Sequence, residues 1–477
     1  MKFCIRIVCL LTASLMAAHA LSQDLSGWSD KTVCRLVETD GSVAYVEEAS
    51  NRGLDCKAPI KSTNYKPNKP NKPSKPKSDE ITKFGDSFEM PNNIEWQPND
   101  ATISFYYKKS DLLRFRDYKV DPSDNPVVFV KKIEQHKVID LEMATKTAFS
   151  YLYYEDGLVI YDAMPPDGRF SMVLDNSSYF LSHSMGKSIT SYTLGHAICE
   201  GYIESIDAPI ADWPLMENTL YYGQPLIKLL NMTAGDTNVI RRGEGNFIKT
   251  GRNIHGNAPL STAAKNSLEL ANTKPISSPK FSYSNLTADV LFNYMMHRVG
   301  SDFDTFIANF YQNKVKIKHP IYLEMNPLEG LPYLASTKDR IKQGAGRYGV
   351  SATRYDYLRI AKAMMDDWQN DTCEGKYLKN IYDRRVSANR RGATWNKQDV
   401  GWGEPDFLTA SKKYGGQFWT DITGLHGRNV LVMIGKGGNT IAMDMDNSRI
   451  VVINAVKEQH VNMKKLGYEP LKYGRIR

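Results

Sequence analysis

The sequence predicts an α+β domain, an α/β sandwich whose antiparallel sheet is built by both ends of the domain, with a mostly helical subdomain between them. Three observations predict it. Phe149 to Tyr154 and Leu158 to Tyr161 are β-rich runs on either side of Glu155-Asp156-Gly157, the pattern of a hairpin. Four further β-rich runs close the chain: Gln417 to Ile422, Val430 to Ile434, Thr440 to Met443 and Arg449 to Asn454. From Ala208 to about Asn370 the pattern is mostly helical with long loops. Strands at both ends and helices between them complete a sheet only if the two ends pair.

The chain has 477 residues, 42% hydrophobic and 24% charged, which excludes a disordered or fibrous protein. At about 100 to 200 residues per domain, this length accommodates two to four folded units. The first element is a leader: Lys2 and Arg6 flank an apolar stretch, Ile7 to Ala18, too short to span a bilayer and ending in Ala18-His19-Ala20, a small-x-small cleavage pattern. A buried N-terminal helix would leave Lys2 and Arg6 unexplained. Residues 1–20 therefore read as a signal peptide, and the mature protein is expected to be exported, periplasmic or secreted, with no transmembrane segment.

Removing the leader leaves Cys34, Cys56, Cys199 and Cys373, an even number for an oxidising compartment. Cys34 and Cys56 bracket a short polar segment with a helix pattern from Val43 to Arg52, stopped at Gly53. Residues 21–60 read as a small disulfide-closed module, since so small a piece buries little surface of its own. Cys199 is equally readable as a buried thiol. Residues 61–80 form a linker, because Lys61 to Ser78 runs KSTNYKPNKPNKPSKPKS, with Lys-Pro at every third residue and no acid. That composition favours an extended, solvated tether, with weak contact to an anionic surface as its other reading. Leader and tether together carry the whole formal charge of +8, so the folded remainder is neutral and a nucleic-acid-binding role is excluded. Residues 81–477 read as one continuous domain, in which a helix from about Met185 to Glu200 follows an extended piece around Phe170 to Leu174.

Chemistry begins at Ser182-His-Ser-Met-Gly-Lys-Ser188, where Ser184 and Lys187 lie one turn apart at a helix start. A serine hydroxyl needs a base, and a lysine amine serves when burial lowers its pKa. The helix N-terminus also favours an oxyanion beside Ser184. The pattern recurs at Ser74/Lys77 and Ser277/Lys280, but only Ser184 opens an apolar-periodic helix. An ordinary structural role would make Ser184 an N-cap and Lys187 a solvated first-turn residue. Phe281-Ser-Tyr-Ser-Asn285 puts Tyr283 and Asn285 just before a helical run, Thr287 to Val299, although Tyr-x-Asn also occurs at Tyr311/Asn313. A tyrosine beside a lysine ammonium relays protons, with Asn285 as a hydrogen-bonding partner. Gly435-Lys-Gly-Gly438, between apolar runs, marks either a close approach to the backbone or an ordinary turn.

In this order, the three pieces resemble the serine β-lactamase and penicillin-binding protein superfamily, nearest to class C β-lactamases, related esterases and aminohexanoate-dimer (nylon-oligomer) hydrolases. Leu229-Leu-Asn-Met-Thr-Ala-Gly235 is similar to the family's Leu-Leu-x-x-Thr-Ser-Gly stretch, and Gly349-Val-Ser-Ala-Thr-Arg-Tyr-Asp356 to its segment before a helix. The resemblance covers roughly Leu141 to Val456. It implies Ser184 as acylated nucleophile, Lys187 as its base, Tyr283 as general acid/base and Asn285 as support for Lys187 or substrate. The oxyanion hole would use the backbone N–H of Ser184 and, with Lys436-Gly-Gly438 in register, that of Lys436; Met433-Ile-Gly435 is the other register. The family's Lys-Thr-Gly is absent, which disfavours β-lactams and points to another amide or ester.

The expectation is an exported serine hydrolase working through an acyl-enzyme, needing no cofactor and no metal, since the nine histidines are scattered and no His-Glu-x-x-His occurs. The alternative is a penicillin-binding or D-amino peptidase-like protein that binds cell-wall peptides with little turnover. An α/β-hydrolase would want Gly-x-Ser-x-Gly, of which Ser182-His-Ser-Met-Gly186 has only the second glycine. His183 and His426 are candidate cleft residues that read more simply as structural or surface histidines. Tyr221, Tyr222, Trp402 and Trp419 are candidate lining aromatics.

Overall fold

The computed structural model describes residues 46, 49–54, 56, 118–170, 174–241, 270–325, 341, 346–388, 407–456 and 461–477. The chain divides into two compact units, Met1–Lys83 and Phe84–Arg477. In the first, residues 49–51 are helical and the Leu54 N–H closes the turn on the Ala49 carbonyl at 2.9 Å. The leader, the tether and Cys34 lie outside the described residues, as do Trp402 and the Ser74/Lys77 pair. No helix among the described residues is long and apolar enough to cross a membrane.

The second unit carries thirteen described strands in two sheets. They are β1 (Tyr118–Val120), β2 (Val130–Lys131), β3 (Ala148–Glu155), β4 (Leu158–Ala163), β5 (Tyr179–Leu181), β6 (Ile321–Met325), β7 (Gly346–Thr353), β8 (Val386–Ser387), β9 (Ser411–Gly415), β10 (Phe418–Ile422), β11 (Val430–Gly435), β12 (Asn439–Asp444) and β13 (Arg449–Ala455). Five described helices have nine or more residues: α1 (Lys137–Thr145), α2 (Met185–Cys199), α3 (Asn285–Val299), α4 (Arg354–Asn370) and α5 (Cys373–Asp383).

The larger sheet has the order β2-β4-β3-β13-β12-β11-β10-β9-β8 and is antiparallel except where β2 meets β4. The expected closure of the two ends occurs at β3 and β13, where Tyr154 faces Ile450 and Leu152 faces Val452. Strand alternation then divides the side chains between two cores. Leu152 and Tyr154 of β3, with Ile450 and Val452 of β13, face one core; Tyr151, Tyr153, Val451 and Ile453 face the other, and Phe149 joins the first core at the bulge where the register shifts between Asn454 and Ala455. The first core takes in α2, α3, α4 and α5, and the second takes in α1 and the C-terminal turn ending at Ile476. A sheet buried on both faces explains why its strands read as nearly unbroken apolar runs.

One expectation is refined, and one alternative left open is decided. The stretch read as mostly helical also contains β6 and β7, which join β1 and β5 in a four-stranded antiparallel sheet of order β1-β6-β7-β5. Ile321, Leu323 and Met325 alternate inward along β6, a period too short to stand out within a helix-rich region. Cys199 is not a thiol: it is bonded to Cys373, which ties the end of α2 to the start of α5.

Candidate active site

Ser184 stands at the turn between β5 and α2, and that turn is held from both sides. The Ser182 N–H donates to the Val350 carbonyl at 2.7 Å, and the Val350 N–H donates to Ser182 Oγ at 2.9 Å, fastening the turn to β7. From the other side, the end of β11 presses on it: a Cβ on Gly435 would lie 2.3 Å from the Ser182 carbonyl oxygen and 3.3 Å from His183 Cβ. Only glycine fits that approach. Between these fixed points His183 has φ of 47°, left-handed and costly for a non-glycine residue. Ser184 is the N-cap residue of α2 but makes no side-chain cap bond, leaving Oγ to another partner.

That partner is Lys187, whose Nζ lies 2.9 Å from Ser184 Oγ. Lys187 is not a solvated first-turn residue; it is fully buried. Its Nζ faces two aromatic rings, 3.7 Å from the centroid of Tyr348 and 4.9 Å from that of Tyr283. Burial holds the Lys187 ammonium well below the ordinary lysine range; Asp289 opposes that, Arg347 adds to it and Glu324 opposes it. An amine whose proton burial loosens, held on Ser184 Oγ, is the arrangement a general base requires.

Tyr283 precedes α3 and stacks on Trp419, ring centroids 5.8 Å apart at 16°, with Tyr414 edge-on at 6.1 Å. The Leu229–Gly235 stretch explains how its turn is held. The Ser282 N–H donates to the Met232 carbonyl at 3.0 Å, and the next carboxylate, Asp236, accepts from Ser284 Oγ, from Thr287 Oγ1 at 3.0 Å and from Tyr221 OH at 3.1 Å. Burial raises the Asp236 carboxyl, and the hydroxyls it accepts from pull it back. Asn285 is the first residue of α3, and among the described residues its side chain has no hydrogen-bond partner, Lys187 included.

Lys436 is the exposed first residue of a short turn, Lys436–Gly438, directly after the Gly435 that abuts Ser182. Its charge, together with burial and Lys187, pushes the His183 imidazole down to about 4, burial being the largest cause. His426 is exposed on a loop. Tyr221 is engaged by Asp236, Tyr222 is exposed, and Ser277 and Lys280 lie on an exposed loop. Tyr311 and Asn313 fall in a separate helical segment, Asn309–Val315.

Three residues beside the pair escaped the sequence reading: Tyr348, Asp289 and Arg347. Asp289 Oδ1 accepts from the Tyr348 N–H at 3.3 Å, and Arg347 lies between Asp289, at 3.7 Å, and Glu324. Burial lifts the Asp289 carboxyl to about 6, with Glu324 adding to the rise and Arg347 and Lys187 opposing it. A lone acid on an otherwise buried helix, as Asp289 is on α3, was the one available signal.

No family model matches the sequence, and no curated protein matches it either. Solved structures do. A Bacillus anthracis protein assigned as a 6-aminohexanoate-dimer hydrolase superposes with a TM-score of 0.51 at 13% identity, over 80% of this chain and 95% of that one. EstCE1, a hydrolase with promiscuous acyltransferase activity, gives 0.47 at 16% identity over 70% and 95%, and a class C β-lactamase from Rhodobacter sphaeroides 0.43 at 14% over 68% and 93%. With its two-ended antiparallel sheet and the likeness to the first of these, the chain has the serine β-lactamase/transpeptidase fold.

Proposed function

We propose that this protein is a serine hydrolase that cleaves an amide or ester through an acyl-enzyme on Ser184. The observation that carries the reading is the buried Lys187 Nζ, 2.9 Å from Ser184 Oγ at the start of α2. Ser184 Oγ attacks the substrate carbonyl carbon while its proton passes to Lys187. The resulting oxyanion is met by the N-terminal end of α2, with the backbone N–H groups of Ser184 and Lys436 as its donors. Collapse breaks the bond to the leaving amine or alcohol, which departs with a proton relayed by Tyr283. Water then adds to the acyl-enzyme carbonyl, giving up a proton to Lys187, and the ester to Ser184 breaks as that proton returns to Ser184 Oγ, releasing the acid.

Tyr283 stands beside the pair, its ring centroid 4.9 Å from Lys187 Nζ, and its part in the relay rests on that proximity and on the Tyr-x-Asn pattern. For Asn285 the support is its position alone, at the start of α3. Lys-Thr-Gly is absent from β11 and the turn after it, so a linear amide or ester fits better than a β-lactam. The Bacillus anthracis neighbour makes an aminohexanoate dimer the first linear amide to assay. We further read the chain as exported: its leader pattern is supported by the Cys199–Cys373 disulfide, which suits an oxidising compartment.

The test is covalent labelling with a fluorophosphonate, followed by peptide mapping. Wild type is expected to carry the label on Ser184 and Ser184→Ala to carry none. Label retained in Ser184→Ala would overturn the reading.

A further inference from the structure

Lys187 has to lose its proton before it activates Ser184, yet must accept one as the bond to the carbonyl forms. A carboxylate paired directly with Nζ would satisfy the second need and defeat the first, because it would keep the resting amine charged. An aromatic face attracts a cation more weakly and is a poor competitor for a proton. In this site Nζ lies 3.7 Å from the ring centroid of Tyr348, closer than the 4.9 Å to the ring of Tyr283.

We propose that Tyr348 is a positioning residue of the acylation step: its ring closes the space over Lys187 Nζ against water and keeps that nitrogen on Ser184 Oγ. This rests on the acyl-enzyme reading above. Tyr348 is 8% exposed, and its main chain is fixed at two points. Its N–H donates to Asp289 Oδ1, and its carbonyl lies where a Cβ on Gly186 would come within 2.0 Å. Gly186 precedes Lys187, so the backbone contact between α2 and β7 also sets the height of the ring above Nζ. The phenol stays neutral, since burial and the Asp289 charge raise its pKa well above the ordinary tyrosine value. What faces the lysine is therefore an aromatic ring, with no phenolate charge of its own.

The titratable and charged groups around Lys187 are His183 before its own helix, Tyr283 and Asp289 from the loop and helix of α3, and Arg347 and Tyr348 from β7. Glu324 on β6 also acts on Lys187, and Lys436 acts on His183. Of the two rings facing Nζ, Tyr348 is the nearer. Opening the ring's position readmits water to the ammonium, and hydration favours the charged form.

The experiment measures the second-order rate of fluorophosphonate labelling at Ser184 across pH for wild type, Tyr348→Ala, Tyr348→Phe and Tyr348→Thr. The threonine variant suits a strand and is the second opening variant should alanine fail to fold. Alanine or threonine is expected to slow labelling by about tenfold or more and to move the acidic limb of the profile to higher pH. Phenylalanine, which restores the ring without the hydroxyl, is expected to bring the rate back to within about threefold of wild type and to return the limb to its place. Equal losses in Phe and Ala, or an acidic limb unmoved in both opening variants, would overturn the proposal while leaving the acyl-enzyme reading intact. Wild type unlabelled at Ser184 would overturn both.

Discussion

Gly186 lies against the main chain of Tyr348, so closely that a Cβ on the glycine would fall 2.0 Å from the Tyr348 carbonyl oxygen and 2.7 Å from Ser182 Oγ. The first is backbone and Ser182 Oγ is held by the Val350 N–H, so helix α2 and strand β7 would have to separate. Gly186→Ala is therefore expected to cost about 2 to 3 kcal/mol of stability, the upper part of the usual range for overpacking, despite alanine's better helix propensity. Urea unfolding gives the stability, and Ser184 labelling at matched folded concentration gives the effect on the site. An unchanged midpoint would mean that the two backbones have room to part.

Lys187 and Lys280 both follow a serine by three residues, but one is buried on Ser184 and the other is exposed on a loop. Lys187→Ala is expected to reduce labelling of Ser184 by about a thousandfold, within the range for removing a general base. Lys280→Ala is expected to label as wild type does. Intact-mass spectrometry over time measures both, with circular dichroism to establish that Lys187→Ala remains folded.

Asp289 carries a pH dependence that can be given a sign. Its carboxyl titrates at about 6 in the folded chain against 3.8 for an ordinary one. Below pH 3.8 it is protonated in both states and contributes no difference. Between the two values the unfolded chain loses the proton first, so stability falls as pH rises, and above about 6 the loss is complete, at roughly 3 kcal/mol. Asp289→Asn removes that dependence. Relative to wild type, the variant is expected to gain stability between pH 4 and pH 7, by up to about 3 kcal/mol, in matched denaturation series. A difference that stays flat with pH would show that Asp289 is not titrating in that window.

The Cys199–Cys373 bond joins positions 174 residues apart. Closing so long a loop restricts the unfolded chain, and the expected stabilisation is about 2 to 4 kcal/mol. The double variant Cys199→Ser, Cys373→Ser is expected to lose that amount in oxidising buffer. Adding reductant, which lowers the wild-type midpoint, is expected to leave the variant unaffected by way of this bond.

What was legible in the sequence was local. Ser184 and Lys187 share one helix turn, and Tyr283 sits two residues before its own helix, so spacing alone brought them forward. The strands of the large sheet were legible because both of its faces are buried, which concentrates apolar residues in short runs. What failed to show were relations across the chain. Tyr348 meets Lys187 from a strand 161 residues away, and in sequence it is one aromatic among 27 tyrosines. Asp236 looks like a loop acid, and only folding brings it to Ser284 and Thr287, 48 and 51 residues on. Strand β6 was missed because five alternating residues carry little signal beside long helices. The partner of Cys199 was undetermined because cysteine parity leaves the connectivity open.

The seam between β3 and β13 sets the order of events during folding. Ser150 on one strand hydrogen-bonds Asn454 on the other, 304 residues later, so the two ends of the domain are zipped together by the last described strand. Until Arg449 to Ala455 have emerged, β3 has β4 on one side and an open edge on the other, its faces lined with Phe149, Tyr151, Leu152 and Tyr153. Such long-range closure is slow, and an apolar edge left waiting is a template for pairing with other chains. Truncation between Gly438 and Arg449 thus turns β3 into an aggregation-prone edge, even though Ser184, Lys187, Tyr283 and Tyr348 are all still present.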